Sequence, residues 1–384
     1  MRVAYLSHTS LVSGAERYLL ALLRGLPDDV SPVVLCPDGP LHDAVAELGV
    51  ATAPVPPVEP SFRLHPVRSA RGLVGIASAG RLVRRLCAQY GVDLLHANSG
   101  RAGLVAASIG ARSAPPTVVT IHDCLPHNPP GRAIRFALHR RVALALANSR
   151  YTARNFGGPR TRVVYPPVEL DRQPDPSRVR RLREQLGIGD SSTVLAVVGQ
   201  ITPWKGQAMA IEALSHVREA LPDAALVLAG EVKFAGPGRR YDNSGYLDHL
   251  RELRERRGLD RAVHFIGERE DVPDVLGAAD LLLAPSWEEP FGIAVGEAML
   301  AGTPVIATAV GGPAELIEDG VSGRLIPPRD PRAWARAVVE LAERPEARSR
   351  MAEAALRRAS GLGSRRFVGE ILSAYADVHR GPES

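Results

Sequence analysis

Two carboxylates, Glu289 and Glu297, stand eight positions apart in the stretch WEEPFGIAVGEAM. Paired carboxylates serve glycoside hydrolases as acid and nucleophile or base, facing one bond across about 5–9 Å. Pro290 and Gly292 argue against one continuous helix, in which the pair would be about 12 Å apart along the axis. We therefore predict that Glu289 lies in a loop and that a helix starting near Gly292 carries Glu297. This layout favours ligand binding, because carboxylates accept ribose or sugar hydroxyls and helix-start N–H groups are free to donate.

A lysine follows an earlier apolar run, in VGQITPWKG (198–206). Gly199 lets the chain turn at the end of the predicted strand, Gln200 follows it, and Lys205 stands at the start of the next helix. A cation at that position can lie against a diphosphate, and a solvated lysine is the alternative. Gly230 ends the next predicted strand in the same way, where a nucleotide could lie on the backbone.

The first half of the chain offers candidates at the ends of its own predicted strands. Ser13-Gly14-Ala15 opens a helix, whose free N–H groups and positive dipole end favour an anion such as phosphate. His122, in TIHD (120–123), can donate a hydrogen bond to a bound sugar or act as acid or base. Asn98 also ends a predicted strand. An ordinary turn at Gly14 and a histidine satisfied within its loop are the alternatives.

Short apolar runs alternate with amphipathic stretches in two blocks, which predicts parallel sheets covered by helices on both faces. The fold class is therefore α/β, with two doubly wound, Rossmann-like domains facing a cleft. Ligands of such sheets bind beyond the carboxyl ends of the strands, so we expect the active site in that cleft. The predicted strands are 3–6, 32–36, 93–97, 117–121, 143–147 and 163–165, then 193–198, 225–229, 262–266, 281–284, 304–307 and 324–326.

A proline-rich segment, PPVELDRQPDPS (166–177), separates the two blocks and lacks any periodicity, which is typical of a linker. We predict a first domain over 1–168, a hinge over 169–177 and a second domain over 178–362. The last stretch, about 363–384, is predicted to be a helix that packs back on the first domain.

Charge is divided unevenly along the chain. The first 165 residues hold 19 arginines, no lysine and nine Asp or Glu residues, a net charge of +10, while the remainder carries −5. The runs 60–92 and 124–168 contain no carboxylate, and the first includes arginines 63, 68 and 71. Such a half-molecule is attracted to an anionic membrane or another polyanion, and a solvated arginine-rich surface is the alternative. Aromatic residues, which would stack on bases, are only 5% of the chain, so no nucleic acid is expected as a partner.

No run approaches the about 18 apolar residues of a membrane span. The opening MRVAYLSHTS is expected to be the first strand and not a leader. Three cysteines, Cys36, Cys87 and Cys124, lack metal-type spacing and are expected to be free thiols of a cytoplasmic protein. We expect a cytoplasmic location, with peripheral attachment to the inner face of the plasma membrane left open by the basic half.

Several segments together resemble the retaining glycosyltransferases of family 4, which have the GT-B fold and include bacterial mannosyl- and glucosyltransferases. The E-x7-E stretch followed by AGTPVIAT and a Gly-Gly pair is the most specific of them. The resemblance spans most of the chain, and the second domain matches best. The segments are SGAERYL (13–19), TIHD (120–123), VGQITPWKG (198–206), EPFGIAVGE (289–297) with AMLAGTPVIAT after it, and GGPAELIEDGVSGRLIPP (311–328).

The resemblance implies transfer of a hexose-type sugar from a UDP- or GDP-linked donor to an acceptor hydroxyl with retention. It implies that Glu297 binds the ribose hydroxyls, and that Glu289 holds the donor sugar together with the backbone of Phe291 and Gly292. Lys205 would neutralise the diphosphate. The acceptor would be a glycan, a lipid-linked molecule or a small molecule, in polysaccharide, glycolipid or other glycoconjugate synthesis.

In the first domain the resemblance implies that His122 contacts a hydroxyl of the donor sugar and that Gly14 lets its loop approach the diphosphate. Asn98 and Asp123 are placed on the acceptor side. Family members of this type need neither a metal ion nor a cofactor, and no Asp-x-Asp sequence is present.

One position departs from the family, which usually has arginine where this chain has Gln200. Arginine grips a phosphate through two charged N–H groups, whereas glutamine offers a neutral amide. We therefore expect Lys205 and the helix starts to carry more of the stabilisation of the leaving group, with Lys233 as a further candidate.

Other functions stay open on the same architecture. A nucleotide-sugar isomerase or epimerase would convert the donor without any acceptor. A non-catalytic nucleotide-sugar-binding subunit, suggested by Gln200, would bind the donor without turnover. A glycosidase is the least favoured reading of the two carboxylates.

Overall fold

The chain folds into two units, each built around its own parallel sheet. The computed structural model describes residues 1–58, 66–109, 114–233 and 241–380, without the side chains of residues 66–71. Arginines 63, 68 and 71 of the first basic run therefore lie outside the described side chains. The first unit comprises Met1–Pro167 and Ser364–Ser384, and the second comprises Val168–Gly363.

Seven strands form the sheet of the first unit, in the order β3-β2-β1-β4-β5-β6-β7. Every pairing between them is parallel. The strands are β1 (Arg2–Leu6), β2 (Ser31–Cys36), β3 (Ala51–Pro54), β4 (Leu94–Ala97), β5 (Thr117–Ile121), β6 (Leu144–Ala147) and β7 (Thr161–Val163). The helices are α1 (Gly14–Arg24), α2 (Pro40–Glu47), α3 (Pro66–Tyr90), α4 (Gly100–Ala107), α5 (Pro129–Arg141), α6 (Arg150–Phe156) and, at the end of the chain, α15 (Ser364–Arg380).

Helices cover both faces of this sheet, and each face has a hydrophobic core of its own. One core joins the strands to α1, α2 and α15 through side chains such as Leu19, Leu41 and Phe367. The other joins them to α3, α4 and α5 through side chains such as Val83 and Leu138. Because both faces are buried, the central strands are mainly apolar and do not alternate between buried and exposed residues.

Six strands form the second sheet, in the order β10-β9-β8-β11-β12-β13, again with parallel pairings. The strands are β8 (Val194–Val198), β9 (Ala225–Ala229), β10 (Val263–Gly267), β11 (Leu281–Ala284), β12 (Val305–Thr308) and β13 (Arg324–Ile326). The helices are α7 (Pro176–Gln185), α8 (Gln207–Ala220), α9 (Asn243–Arg256), α10 (Val272–Ala278), α11 (Ile293–Ala301), α12 (Pro313–Leu316), α13 (Pro331–Ala342) and α14 (Pro345–Ala359). In the first sheet the strand order reverses between β1 and β4, and in the second it reverses between β8 and β11.

The fold class predicted from the sequence is confirmed, and all twelve predicted strands are present within two residues of their predicted bounds. The prediction missed β3, because ATAP contains one buried residue, Ala53, and ends in a proline. Such a strand is tolerated at the edge of a sheet, where it lacks the apolar run of a central strand.

The proline-rich segment between the two blocks is attached to the second unit. Arg172 Nη1 donates to Asp274 Oδ1 at 2.7 Å, and the Asp175 N–H donates to the same oxygen at 2.9 Å. Hydrogen bonding from the Arg172 guanidinium lowers the pKa of the fully buried Asp274 carboxyl. Asp175 also caps α7, which begins at Pro176, inside the segment that we assigned to a hinge. The assignment of a hinge to residues 169–177 stays a prediction.

No helix in the described part of the chain is long and apolar enough to cross a membrane.

A buried polar cluster joins the last helix to the first sheet. Both ring nitrogens of His96 in β4 have close partners. Nδ1 lies 2.5 Å from the hydroxyl of Tyr375 in α15, and Nε2 lies 2.7 Å from Thr120 Oγ1. His96 is fully buried, and burial lowers its pKa to about 3. Helix α15 is therefore held by specific polar contacts in addition to its apolar face.

The buried His96 predicts a loss of stability on mild acidification. The unfolded chain binds a proton at this histidine below pH about 6.5, whereas the folded chain does so only near pH 3. The free energy of unfolding therefore falls as the pH drops through this window, by about 2 kcal/mol at pH 5 from this one group. The free energy of unfolding should fall between pH 7.5 and pH 5 in the wild type. In His96→Gln this fall should be smaller by about 2 kcal/mol. Urea titration followed by far-UV circular dichroism measures it.

The three tryptophans provide an internal control, because Trp204, Trp287 and Trp334 all lie in the second unit. The transition seen by tryptophan fluorescence should keep the wild-type pH dependence in His96→Gln. The exposed His249→Gln serves as the matched variant and should behave as wild type. An unchanged pH dependence of the circular dichroism transition in His96→Gln would contradict the assignment.

Candidate active site

A lysine and a glutamate meet at the carboxyl edge of the second sheet. Lys205 Nζ donates to Glu289 Oε2 at 2.7 Å, and Ser286 Oγ donates to the same oxygen at 2.9 Å. Lys205 comes from the loop after β8, and Glu289 comes from the loop after β11. The pair therefore bridges the point where the strand order reverses, which is where open α/β sheets bind ligands.

The loop after β8 is fixed by contacts of its backbone. Gln207 Nε2 donates to the Gln200 carbonyl at 2.9 Å, and the Trp287 N–H donates to the Trp204 carbonyl at 2.8 Å. The Lys205 ammonium also lies 4.5 Å from the centre of the Trp204 ring, a cation–π contact. These contacts set the direction of the Lys205 side chain.

Glycines let two pairs of backbone segments approach each other at this edge. Gly199 and Gly230 have φ of 146° and 149°, and a Cβ on Gly230 would lie 1.9 Å from the Gly199 carbonyl oxygen. A Cβ on Gly311 would lie 2.2 Å from the Glu289 carbonyl oxygen, and one on Gly312 would lie 2.3 Å from Phe291 Cα. The Gly311-Gly312 turn therefore packs directly against the Glu289 loop, and the Gly312 N–H donates to the Glu289 carbonyl at 2.8 Å.

The helix predicted near Gly292 begins at Ile293, with Gly292 as its N-cap at φ 100°. Glu297 lies one turn further and is half-buried, as are Ile293 and Ala294, so the three share the accessible face of α11. Phe291 is buried beneath the loop. The structure thus gives Glu289 and Glu297 the loop and helix positions predicted from the sequence.

In the first unit, polar side chains follow three neighbouring strands. Asn98 follows β4, His122 follows β5 and Asn148 follows β6. The Asn98 amide donates to the Ala15 carbonyl at 2.8 Å, and the Asn148 amide donates to the His122 carbonyl at 3.0 Å. Asn98 Oδ1, His122 Nε2 and Asn148 Oδ1 are buried and have no hydrogen-bond partner among the described residues.

His122 is neutral at physiological pH. Burial lowers its pKa to about 4, and a hydrogen bond with the backbone of Asn98 only partly opposes this. Its ring packs edge-on against Tyr18, at 4.8 Å between ring centres. A neutral imidazole can exchange hydrogen bonds with a hydroxyl, but it adds no positive charge against a diphosphate.

Gly14 is the first residue of α1, and a Cβ there would have no neighbour within 4 Å. Ser13 precedes it as N-cap and donates through Oγ to Glu16 at 2.6 Å, so the turn is well ordered by its own side chains. Asp123 is exposed beside His122. The roles given to these residues stay predictions.

Sequence reasoning missed Ser286 and Gln207 as parts of the site. Each is polar, follows a predicted strand or turn and is buried in the fold. For Ser286 the available signal was a polar residue close after an apolar strand, which was used for Asn98; Gln207 stands at the start of α8, where the sequence offers no such signal. Lys233 pairs with Glu268 after β9 and β10, at 2.5 Å, and makes no described contact with Lys205.

Among the described residues, no group of three or more His, Cys, Asp and Glu side chains is arranged to hold a metal ion. The expectation that the reaction uses neither metal nor cofactor stays a prediction.

Two Rossmann-like parallel sheets, with the Lys–Glu pair and the Gly-Gly turn at the edge of the second, are the architecture of the GT-B fold. Residues 12–172 match the sequence family described as Glycosyltransferase Family 4, and residues 179–358 match the one described as Glycosyl transferases group 1. Together the two matches cover most of the chain, which therefore belongs to the group 1 glycosyltransferases.

Solved structures of similar fold extend over the whole chain. Anabaena Alr3699/HepE, crystallised with UDP and glucose, is 27% identical with a TM-score of 0.84, covering 98% of this chain and 100% of that one. The same protein was also crystallised with UDP-glucose. A glycosyltransferase from Rickettsia africae shares the fold at 17% identity, with a TM-score of 0.81 over 99% of both chains.

Curated relatives match over a shorter range. A D-inositol 3-phosphate glycosyltransferase of Salinispora arenicola is 35% identical over 234 residues, which is 59% of this chain and 52% of that protein. One from a Mycobacterium species is 37% identical over 194 residues, or 50% of this chain and 41% of that protein. The chain thus matches about half the length of these relatives.

The contact of Gly311 with the Glu289 loop predicts that a methyl group on Gly311 lowers the free energy of unfolding. Gly311 and Gly302 have similar φ, 87° and 75°, but a Cβ on Gly302 meets nothing within 4 Å. We expect Gly302→Ala to lose about 1 kcal/mol through backbone strain alone. Gly311→Ala should lose about 1–3 kcal/mol more, because the Glu289 loop must move. Urea titration followed by tryptophan fluorescence measures both variants, and equal losses would contradict the close approach.

Proposed function

We propose that this protein transfers a hexose-type sugar from a nucleoside diphosphate sugar to an acceptor hydroxyl, with retention at the anomeric carbon. UDP-glucose is the first donor to test, because the Anabaena protein, similar over nearly all of both chains, was crystallised with it. The observation that carries the proposal is the Lys205–Glu289 pair, which spans the ligand-binding edge of the second sheet. Family membership supports the same reaction class.

In this proposal each donor group has a partner of matching chemistry. Lys205 and the free N–H groups at the start of α11 lie against the diphosphate. Glu297, on the accessible face of α11, accepts the ribose hydroxyls. Glu289 and the backbone of Phe291 and Gly292 hold the sugar. Gly199, Gln200 and Gly230 line the nucleotide, since all three are only half-buried and the two glycines carry no side chain that would block a ligand.

The proposed step breaks the bond between the anomeric carbon and the diphosphate oxygen and forms a bond from that carbon to the acceptor oxygen. The acceptor hydroxyl gives its proton to the leaving diphosphate oxygen on the same face, so no protein base is required. Negative charge grows on the diphosphate during this step, and Lys205 with the helix-start amides stabilises it. No metal ion or cofactor is part of this proposal.

The first unit is proposed to bind hydroxyl groups. Asn98 Oδ1 and Asn148 Oδ1 are acceptors without described partners, and the neutral His122 ring adds a third unpartnered atom. These atoms suit O–H groups, so we propose that His122 meets a hydroxyl of the donor sugar, and that Asn98 and Asp123 lie on the side of a hydroxyl-rich acceptor. Gly14 is assigned to the diphosphate. The acceptors to test first are inositol phosphates, because the curated relatives are named for D-inositol 3-phosphate. Glycans and lipid-linked sugars follow.

A cytoplasmic location is also part of the proposal. Cys36, Cys87 and Cys124 are buried and form no disulfide within the described residues, as is usual in a reducing compartment.

Removal of the proposed diphosphate cation should affect turnover strongly. We expect Lys205→Ala to lower kcat by about 10²–10³, the usual effect of removing one group that stabilises developing charge. Glu297→Ala should instead raise the KM for the donor, because ribose binding is similar before and during the reaction. UDP release across a panel of UDP- and GDP-sugars, with mass analysis of the product, measures both.

The exposed Arg336→Ala on α13 is the matched control for loss of a cation and should keep wild-type turnover. Turnover near wild type in both Lys205→Ala and Glu297→Ala would rule out the proposed donor site. Donor conversion without any acceptor would indicate the isomerase, and donor binding without turnover across all acceptors would indicate the non-catalytic subunit.

The difference from the family at Gln200 can be tested by a substitution that is expected to strengthen the binding of UDP. The Gln200 side chain makes no hydrogen bond with the described residues, while its carbonyl is held by Gln207. Gln200→Arg adds a guanidinium where the family usually has one, so we expect the Kd for UDP to fall about tenfold, the size of a charged hydrogen bond. Calorimetric titration with UDP measures it.

Uridine is the control ligand in the same titration, because it has no phosphate and should bind both proteins equally. A tighter Kd for uridine as well, or no change for UDP, would show that Gln200 does not face the diphosphate.

A further inference from the structure

One helical layer of the first unit combines exposed apolar side chains with unopposed positive charge. The layer consists of α3, α4 and α5, which pack on the same face of the sheet. Helix α4 lies in the middle, because Gly80 of α3 packs against Ser108 at its end, and Leu138 of α5 packs against Gly103 within it. The outer surface of this layer, here called the α3–α5 face, points away from the sheet.

The apolar side chains on this face are unusually exposed. Leu73 and Val74 in α3 are each 68% exposed, and Phe136 in α5 is 66% exposed. They are the three most exposed large apolar side chains in the described parts of the chain. Phe136 also lies 5.8 Å from the Arg140 guanidinium. Exposed apolar groups concentrated on one surface mark a contact with a partner or a membrane.

The charge of the same face has one sign. Helices α3, α4 and α5 contain ten arginines and neither Asp nor Glu. Among the described side chains, Arg81, Arg84, Arg85, Arg132, Arg140 and Arg141 are exposed. The helices on the opposite face of the same sheet are different, because α1, α2 and α15 carry carboxylates such as Glu47, Glu370 and Asp377. The asymmetry therefore belongs to one face and not to the unit as a whole.

We propose that the α3–α5 face docks on an anionic lipid bilayer, with Phe136, Leu73 and Val74 in the interfacial region and the arginines against the lipid phosphates. Apolar insertion and basic side chains together are what peripheral attachment requires, since either signal alone binds weakly and reversibly. Arginine is suited to this because its alkyl stem can lie along apolar surface while the guanidinium reaches a phosphate. The docking itself does not depend on the proposed function. Only its role does, which is to bring the enzyme to a membrane-associated acceptor.

Binding to vesicles tests the proposal directly. The full-length protein is co-sedimented with vesicles of phosphatidylcholine and phosphatidylglycerol at 7:3, and with pure phosphatidylcholine, at low and high salt. We expect at least tenfold stronger partitioning onto the anionic vesicles, weakened by salt. Arg84→Glu/Arg132→Glu/Arg140→Glu should lose at least tenfold, and Leu73→Ser/Val74→Ser/Phe136→Ser should lose several-fold at constant charge.

Matched variants separate the face from the overall charge. Arg24→Glu/Arg336→Glu/Arg350→Glu makes the same change in net charge at exposed positions elsewhere and should stay within twofold of wild type. Val321→Ser/Leu356→Ser does the same for exposed apolar groups outside this face. All of these positions lie outside the proposed donor site, so UDP release with a soluble acceptor should be unchanged and reports correct folding.

Three outcomes would overturn the proposal. Equal partitioning of wild type onto neutral and anionic vesicles would remove it, and so would equal losses in the face variants and their matched variants. Binding to heparin or RNA that depends on the arginines, without loss from the apolar substitutions, would assign the face to a soluble polyanion. Failure of vesicle binding with intact UDP release would leave the proposed transferase reaction standing, so the two proposals fail separately.

Discussion

The site proposed in the second unit depends on the contact between Lys205 and Glu289 across the reversal in strand order. At that point β8 and β11 lie side by side, while the helices that follow them leave to opposite sides, which opens a crevice between the two loops. Both charges are largely buried, and a buried ion pair contributes little net stability because desolvation offsets the attraction. The pair is thus better explained by a ligand that enters between these loops than by the stability of the fold.

Glycines make this contact geometrically available. The Gly311-Gly312 turn touches the backbone of Glu289 and Phe291, and Gly230 touches Gly199, at distances that leave no room for a Cβ. Because the loops pack backbone against backbone, the backbone itself forms the floor of the crevice. Side chains that reach over this floor, such as Lys205, can then contact a ligand that lies on it.

The sequence predicted these features unevenly, for physical reasons. Strands buried on both faces are continuous apolar runs, so twelve of thirteen were predictable, and the weak edge strand β3 was not. Gly292 and Glu297 followed from local helix rules, because an N-cap and the residue one turn later are fixed by neighbours in the chain. The ion pair was not predictable in this way, because its two residues are 84 positions apart and meet only when β8 and β11 pair. Ser286 and Gln207 were missed for a different reason: their contacts, with Glu289 and with the Gln200 carbonyl, are local, but they form only in the folded loops.

The first unit shows how one sheet can present two different surfaces. On one face the last helix, α15, is held by the buried His96–Tyr375 contact. This helix covers apolar surface and adds carboxylates to the outside of that face. On the other face no helix of the described chain covers α3, α4 and α5, and Phe136 is exposed among arginines. Exposed apolar area costs free energy in water, and like charges repel, so this face is unfavourable unless something meets it. A bilayer with anionic headgroups relieves both costs at once, whereas a neutral surface or a soluble polyanion relieves only one.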